Sequence, residues 1–241
     1  MHLETPAIVC ALLAHGEHGA VVRFLTPGHG LLAGYVRGGR SSKLRPVLQP
    51  GNSVALSLNA RTDSQLAAAT VELTRARTAL AADGASLAAI AWFTALTATA
   101  LAEDDPHPTI HTALEALLDG IAAAMPMAAL GESLVRFELL LLSELGFGLD
   151  LTSCAATGST EDLAYVSPKS AQAVSRGAGL PWAARLLPLP GFLIGPAPAT
   201  PAAIAEGLKL SGYFLERDLI NGRAAAILPA RQQLIARLKL P

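Results

Sequence analysis

Four cations, Arg37, Arg40, Lys43 and Arg45, fall within nine residues of the segment VRGGRSSKLRPVLQPG. Cations at that density on a Gly/Ser-rich loop can follow a sugar-phosphate backbone without a fixed register. The same segment also reads as a solvated surface loop with ordinary charges. Aromatic stacking platforms would strengthen the first reading, and only Phe24 and Tyr35 are at hand nearby; each also suits a core position.

Other chemistries are less well supplied. His107 and His111 stand at i, i+4, with Glu103 and Glu115 one step further out, a spacing that resembles a metal-ligand set. Pro106 and Pro108 place His107 at or before a helix start, so the four side chains are not expected to share a face and read better as helix-end surface residues. Cys154 lies in CAATG without a second cysteine nearby. One sulfur cannot hold a structural zinc, and no motif supplies the histidine and orienting group that a nucleophile needs, so a small buried or turn cysteine is the favoured reading. A Walker P-loop, a Rossmann glycine fingerprint and an HExxH motif are all absent from the sequence.

The elements that must position the cationic loop are short strands. Ala7–Leu13, Ala20–Thr26, Leu31–Arg37, Ser53–Leu58 and Ala67–Arg75 are predicted, with turns at 16–19, 27–30 and 49–52. Five strands with two tight early turns suit a small antiparallel barrel of the OB type, which leaves no long exposed edge. From about residue 85 the period changes to helical, over Leu87–Ala102, Thr109–Ala124 and Leu130–Leu145. In the third helix Leu134, Phe137, Leu141 and Leu145 share a stripe, Glu132 and Arg136 pair at i, i+4, and Gly146 is placed to end it. A Gly/Ser/Pro-rich stretch through Ala199 reads as loops with one short helix, before closing helices at Pro201–Arg217 and Ala230–Leu238. The expectation is an α+β protein: an N-terminal five-stranded barrel over 1–80, then a helical domain over 81–241 with a loop-rich insertion at about 151–199.

The chain of 241 residues is 51% apolar and 15% charged, with two cysteines, which excludes a disordered polyelectrolyte, a disulfide scaffold and a collagen-like fibre. Its net charge of −1 conceals segregation: +4 over residues 1–80, −9 over 81–150 and +4 over 151–241. A basic head beside an acidic middle favours a localised anion-binding face. Gly84–Ala102 is uncharged over nearly the length of a membrane span, but Ala, Thr and Ser dominate it and its flanks are acidic, so a helix buried inside the protein is expected. With no basic leader and two unpaired-looking cysteines, a cytoplasmic location is expected.

Taken together, AIVCALLAHGEHGAVVRFLTPGHGLLAGYVRGGR, LQPG and LVRFELLLLSELGFGLDLTSCAATG, in this order and spacing, resemble the bacterial DNA repair and recombination protein RecO family. The resemblance covers most of the chain. Its most specific part is the RFEL-containing helix followed by a C-x-x-x-G turn, downstream of a basic barrel. It implies an N-terminal OB-fold, a helical C-terminal domain and no enzymatic turnover. It implies binding to single- and double-stranded DNA, annealing of complementary strands, and, with RecR, loading of RecA onto strands coated by single-stranded DNA-binding protein (SSB). By position, Arg37, Arg40, Lys43 and Arg45 match the family's basic barrel loop, with Arg23 and Arg61 as weaker additions. Arg136, in the matching RFEL segment, corresponds to the capture of the acidic, Phe-ended SSB tail; the Glu132 pair is its alternative role.

Many members of the family carry a four-cysteine zinc site that begins at the equivalent of Cys154. Here the second position is Thr157 and residues 159–241 contain no cysteine, so zinc is not expected. A basic face would neutralise phosphates on two strands and allow their bases to pair. Contact with about four phosphates predicts a log-log salt slope near −3 on single strands, at roughly 0.7 per phosphate. The acidic middle block would keep DNA off its side. Competing readings are an OB module for RNA or a protein partner, a cysteine-dependent enzyme using Cys154, and a membrane-attached adaptor resting on Gly84–Ala102.

Overall fold

The computed structural model describes residues 2–60, 62 and 65–240. Five strands, β1 (His2–His15), β2 (Gly19–Thr26), β3 (Gly30–Val36), β4 (Ser53–Asn59) and β5 (Ala67–Arg75), close into a barrel of order β1-β2-β3-β5-β4. The OB-type topology expected from the turns is therefore present, with β3 and β5 meeting in parallel at Gly34↔Ala67 and Tyr35↔Ala68. Inward-facing Val22, Phe24, Leu32, Val36, Val54, Leu56 and Leu58 alternate with outward residues and form the barrel core.

β1 is longer than its apolar run Ala7–Leu13. Residues 2–8 pair with β4 and residues 8–15 with β2, and the ladder shifts between Val9 and Ala11. One strand thus serves two neighbours, and a bulge bends it across the barrel. Its polar ends are held by backbone bonds, which leave no mark on hydrophobic periodicity. Gly30 closes the β2–β3 turn at φ +68°, and a Cβ there would stand 2.0 Å from the Asp105 carbonyl oxygen.

Three helices follow: α1 (Gly84–Ala100), α2 (Pro108–Ala122) and α3 (Met127–Glu144). Asp83 caps α1 by accepting from the Ser86 N–H at 2.8 Å. Ile90, Trp92, Phe93 and Leu96 are buried, and the Thr94 and Thr97 hydroxyls donate to carbonyls one turn back, so α1 is an interior helix as expected. Among the described residues no helix is long and apolar enough to cross a membrane. Pro108 opens α2, whose Ile110, Leu114, Leu118 and Ile121 are buried on one stripe. α3 ends as its sequence predicts: Gly146 takes φ +85°, and the Gly146 and Phe147 N–H groups return to Ser143 and Leu142.

The stretch expected to be loops also holds a three-stranded sheet of order β7-β6-β8, from β6 (Leu163–Val166), β7 (Ala173–Ser175) and β8 (Leu187–Pro188). Strands of four, three and two residues are too short to show a period of two. A short helix α4 (Arg176–Gly179) follows β7, and α5 (Pro201–Phe214) and α6 (Leu228–Leu238) close the chain. α5 packs on α3, where Gly207 admits Val135 and the Ser211 hydroxyl donates to the Glu138 carboxylate at 2.5 Å, both residues fully buried.

The change from strand to helix falls near residue 80, whereas compactness groups the chain differently. One unit is Met1–Met125 with Pro229–Arg237, so α1, α2 and most of α6 cluster with the barrel; the other is Pro126–Leu228 with Leu238–Pro241.

Candidate nucleic-acid interface

The segment between β3 and β4 is more ordered than a Gly/Ser loop suggests. Successive turns run through it, with Arg45 N–H to Ser41, Leu48 N–H to Leu44, and the Leu44 N–H to the Ser41 hydroxyl. Leu48 is 1% exposed and plugs the barrel core, with Leu44 and Val47 packed beside it. The apolar residues of the loop thereby face inward and its cations outward. Arg37, Arg40, Lys43 and Arg45 are all exposed.

Charge pairing separates these four from the rest of the basic head. Arg77 is fully buried, with its Nε 2.5 Å from Asp119, Nη2 3.4 Å from Glu115 and Nη1 2.5 Å from the Ser53 hydroxyl. Arg75 meets the other Asp119 oxygen at 2.5 Å. Partial burial works against the Asp119 carboxylate, but the hydrogen bonds from Arg77 and Arg75 outweigh it and hold its pKa below the usual range. Arg23 donates to the Ala98 carbonyl and lies 3.2 Å from Glu103.

Acids of the middle block therefore neutralise three bases of the head, and the expected segregation by sequence does not survive as two separate faces. What survives is the loop. Among the described residues none of its four cations has an ion pair. The Arg40 side chain has a structural attachment, with Nη1 3.2 Å from the Glu17 carbonyl, and its backbone N–H bonds the His18 carbonyl, tying the loop to the β1–β2 turn. Arg61 lies outside the described residues.

Of the two candidate aromatics, Phe24 is fully buried in the barrel and is not a stacking platform. Tyr35 is half-buried on the outer face, in register with Val21 and Leu13 across β2 and β1. Its ring lies over Gly19, where a Cβ would come within 2.4 Å of it, and meets His15 edge to face at 5.7 Å. Leu13, 70% exposed, continues that row.

The histidine set does not converge. His107 is the N-cap of α2 and faces Asp105 at 3.3 Å, Glu103 is taken by Arg23, and Glu115 by Arg77. His111 is 8% exposed rather than a surface residue, and burial lowers its pKa. Cys10 and Cys154 are both buried free thiols. Burial pushes Cys10 up to about 12. Hydrogen bonds from Ser175, then Thr157, lower Cys154 to about 6 in its turn, where the Gly158 N–H donates to the Cys154 carbonyl at 2.8 Å. Among the described residues no group of three His, Cys, Asp or Glu side chains could hold a metal ion.

In the second unit, Arg136 on α3 bonds Glu132 at 2.8 Å and the Phe192 carbonyl at 2.7 Å, and lies 5.5 Å from the Phe192 ring centroid. Half of its side chain remains exposed, beside an aromatic ring. The Glu132 pair predicted at i, i+4 is present and leaves part of the guanidinium open.

The Arg75–Arg77–Asp119–Glu115 cluster is not evident in the sequence, where Arg75, Arg77 and Asp119 enter only as charge and Glu115 as a flank of the histidine pair. Glu115 and Asp119 at i, i+4 on one face of α2 were the available signal, since like charges one turn apart repel and a cation between them offsets that repulsion.

A closed OB-type barrel with an exposed cationic loop, followed in the chain by helices α1–α3, defines a two-part α+β class of protein. The family model described as "Recombination protein O N terminal" matches residues 1–77, and that described as "Recombination protein O C terminal" matches 81–223. Proteins called DNA repair protein RecO are similar over nearly the whole chain. That of Paracoccus denitrificans is 47% identical over 239 residues, covering 99% of this chain and 96% of its own. That of Rhodospirillum rubrum is 45% identical, covering 96% and 94%, and that of Cereibacter sphaeroides is 46% identical, covering 92% and 93%. The chain belongs to the RecO family.

Proposed function

We propose that this protein acts in recombinational DNA repair as a non-catalytic cytoplasmic mediator. It binds single- and double-stranded DNA through Arg37, Arg40, Lys43 and Arg45, and anneals complementary strands. Four exposed cations with no acidic partner among the described residues, on a segment anchored by Leu48, carry this reading, and the names of its relatives agree with a DNA repair role. An ion-paired arginine has its charge already satisfied and gains little from a phosphate; an unpaired one releases counterions on binding. Arg23 is accordingly a weaker contact, and Arg61 remains a candidate from its position in the sequence.

Annealing follows from the same electrostatics. Cations spaced along an exposed loop offset the repulsion between two strands without occupying the base edges, which remain free to pair. In the second unit, Arg136 beside Phe192 suits a partner ending in a carboxylate and an aromatic ring, which is the chemistry of the SSB tail. With RecR as partner, the protein would help load RecA onto SSB-coated strands.

The test is annealing of two complementary oligonucleotides at low and moderate salt, comparing wild type with a variant carrying Arg37→Ala, Arg40→Ala, Lys43→Ala and Arg45→Ala. Salt-sensitive annealing that the folded variant loses supports the reading. Equal annealing by both proteins places the activity elsewhere.

A further inference from the structure

Beside the cationic loop, a cleft of about 350 Å³ opens at one end of the barrel. Its lining is mostly apolar in surface, from Pro46 of the loop, Leu73 near the end of β5, and Ala76 and Ala79 of the segment that follows, with Gln49, Asn52 and Thr78 beside them. The ladder explains why Leu73 is there. Ser53 pairs with Arg75 but Val54 pairs with Leu73, so one residue of β5 is bulged out, and Leu73 falls on the same inward parity as Val71 and Ala69. At that level the core has ended, and Leu73 is left 39% exposed.

The cleft is also built to keep its shape. The Asn52 side chain donates to the Pro46 carbonyl at 2.9 Å and accepts from the Thr78 N–H at 3.3 Å, holding the two opposed walls by one buried amide. The Thr78 hydroxyl donates to the Pro50 carbonyl at 2.6 Å. A preformed apolar recess in a barrel mouth, of roughly the smallest size used for ligand sites, takes one flat group rather than a long segment.

Charge indicates which flat group. Arg45 stands on the rim, Lys43 is two residues away, and among the described residues no carboxylate lines the recess. A cation at the mouth of a largely apolar cleft is complementary to a nucleotide: phosphate outside, base inside.

We propose that this cleft receives one unstacked base of a single strand whose phosphates lie along Lys43 and Arg45. The inference rests on the proposed phosphate-binding role of the loop and adds a second element to it. Phosphate contacts alone hold single and double strands alike, whereas a base slot can be filled only by a strand whose bases are unpaired. It therefore supplies a preference for single strands before annealing and a reason to release the paired product.

The test compares three probes: a single-stranded oligonucleotide, an abasic strand of the same length, and the oligonucleotide with one 2-aminopurine. Wild type is set beside Ala79→Leu, which fills the cleft from an exposed rim position. Wild type should bind the base-bearing strand about tenfold tighter than the abasic strand, the scale of one desolvated base, and change 2-aminopurine fluorescence at saturation. Ala79→Leu should bring the two strands within about twofold while leaving abasic binding as in wild type. Equal, salt-dependent binding of both strands by wild type overturns the slot and leaves the phosphate reading standing. An equal loss on both strands in Ala79→Leu also overturns it. Binding of neither strand by wild type removes the phosphate reading and the slot with it.

Discussion

Asp119→Ala isolates the consequence of burying a cation. Arg77 has no exposed side-chain surface, and Asp119 is its closest acid at 2.5 Å. Removing one partner of a buried ion pair leaves the other uncompensated, at a cost of about 3–5 kcal/mol. Here Glu115 at 3.4 Å and the Ser53 hydroxyl remain, and the Asp119 side chain is itself 41% exposed, so water can enter from that side. The low end, about 3 kcal/mol, is expected. Arg77→Met removes the buried charge and leaves Asp119 to solvent and Arg75, at a smaller cost of about 1 kcal/mol. Urea unfolding followed by circular dichroism measures both. The reasoning fails if Arg77→Met costs more than Asp119→Ala, or if Asp119→Ala costs less than about 0.5 kcal/mol. The cluster also sets an acid limb. Asp119 titrates in the folded state below its ordinary value of 3.8, so its contribution is complete above that value and is lost as the pH falls through the lower folded one. Wild type should lose stability on acidification in that window, and Asp119→Asn should lose less.

Three further outcomes are expected. Gly30→Ala forces a positive φ on alanine and drives its Cβ into the Asp105 carbonyl, so thermal unfolding should show a loss of about 2–4 kcal/mol, against little effect for Gly28→Ala, where a Cβ meets open space. Thiol labelling should modify Cys154 before Cys10, with a rate for Cys154 that falls as the pH drops through about 6; equal rates at neutral pH would contradict the environments of the two thiols. Arg136→Ala should weaken binding of an acidic peptide ending in Phe about tenfold, the scale of one charge-assisted hydrogen bond, and unchanged binding in a fluorescence titration would remove Arg136 from that site.

Which features were legible depends on what carries their signal. β2 and β5 match their sequence runs to within a residue, because β2 is buried along most of its length and the first half of β5 alternates buried with exposed residues. α3 was readable for a similar reason: its stripe, its i, i+4 pair and its terminal glycine agree on one helix. The ends of β1 were hidden because ladder bonds, not burial, hold them. The sheet of β6, β7 and β8 was hidden because its strands are shorter than any period. The cationic loop was visible as composition, but its inward anchor at Leu48 was not, since one leucine among turn residues carries no pattern. Charge was the least legible: a sum over residues 1–80 treats Arg77 and Arg45 alike, and only the fold shows that one is buried against Asp119 while the other is exposed.

Salt dependence of single-strand binding tests the central claim most directly, because it counts the phosphates that the free cations neutralise. Wild type should give a log-log slope near about −3, and the variant lacking Arg37, Arg40, Lys43 and Arg45 a slope near zero with its fold intact. Equal slopes for the two proteins would show that the loop cations are not the phosphate contacts.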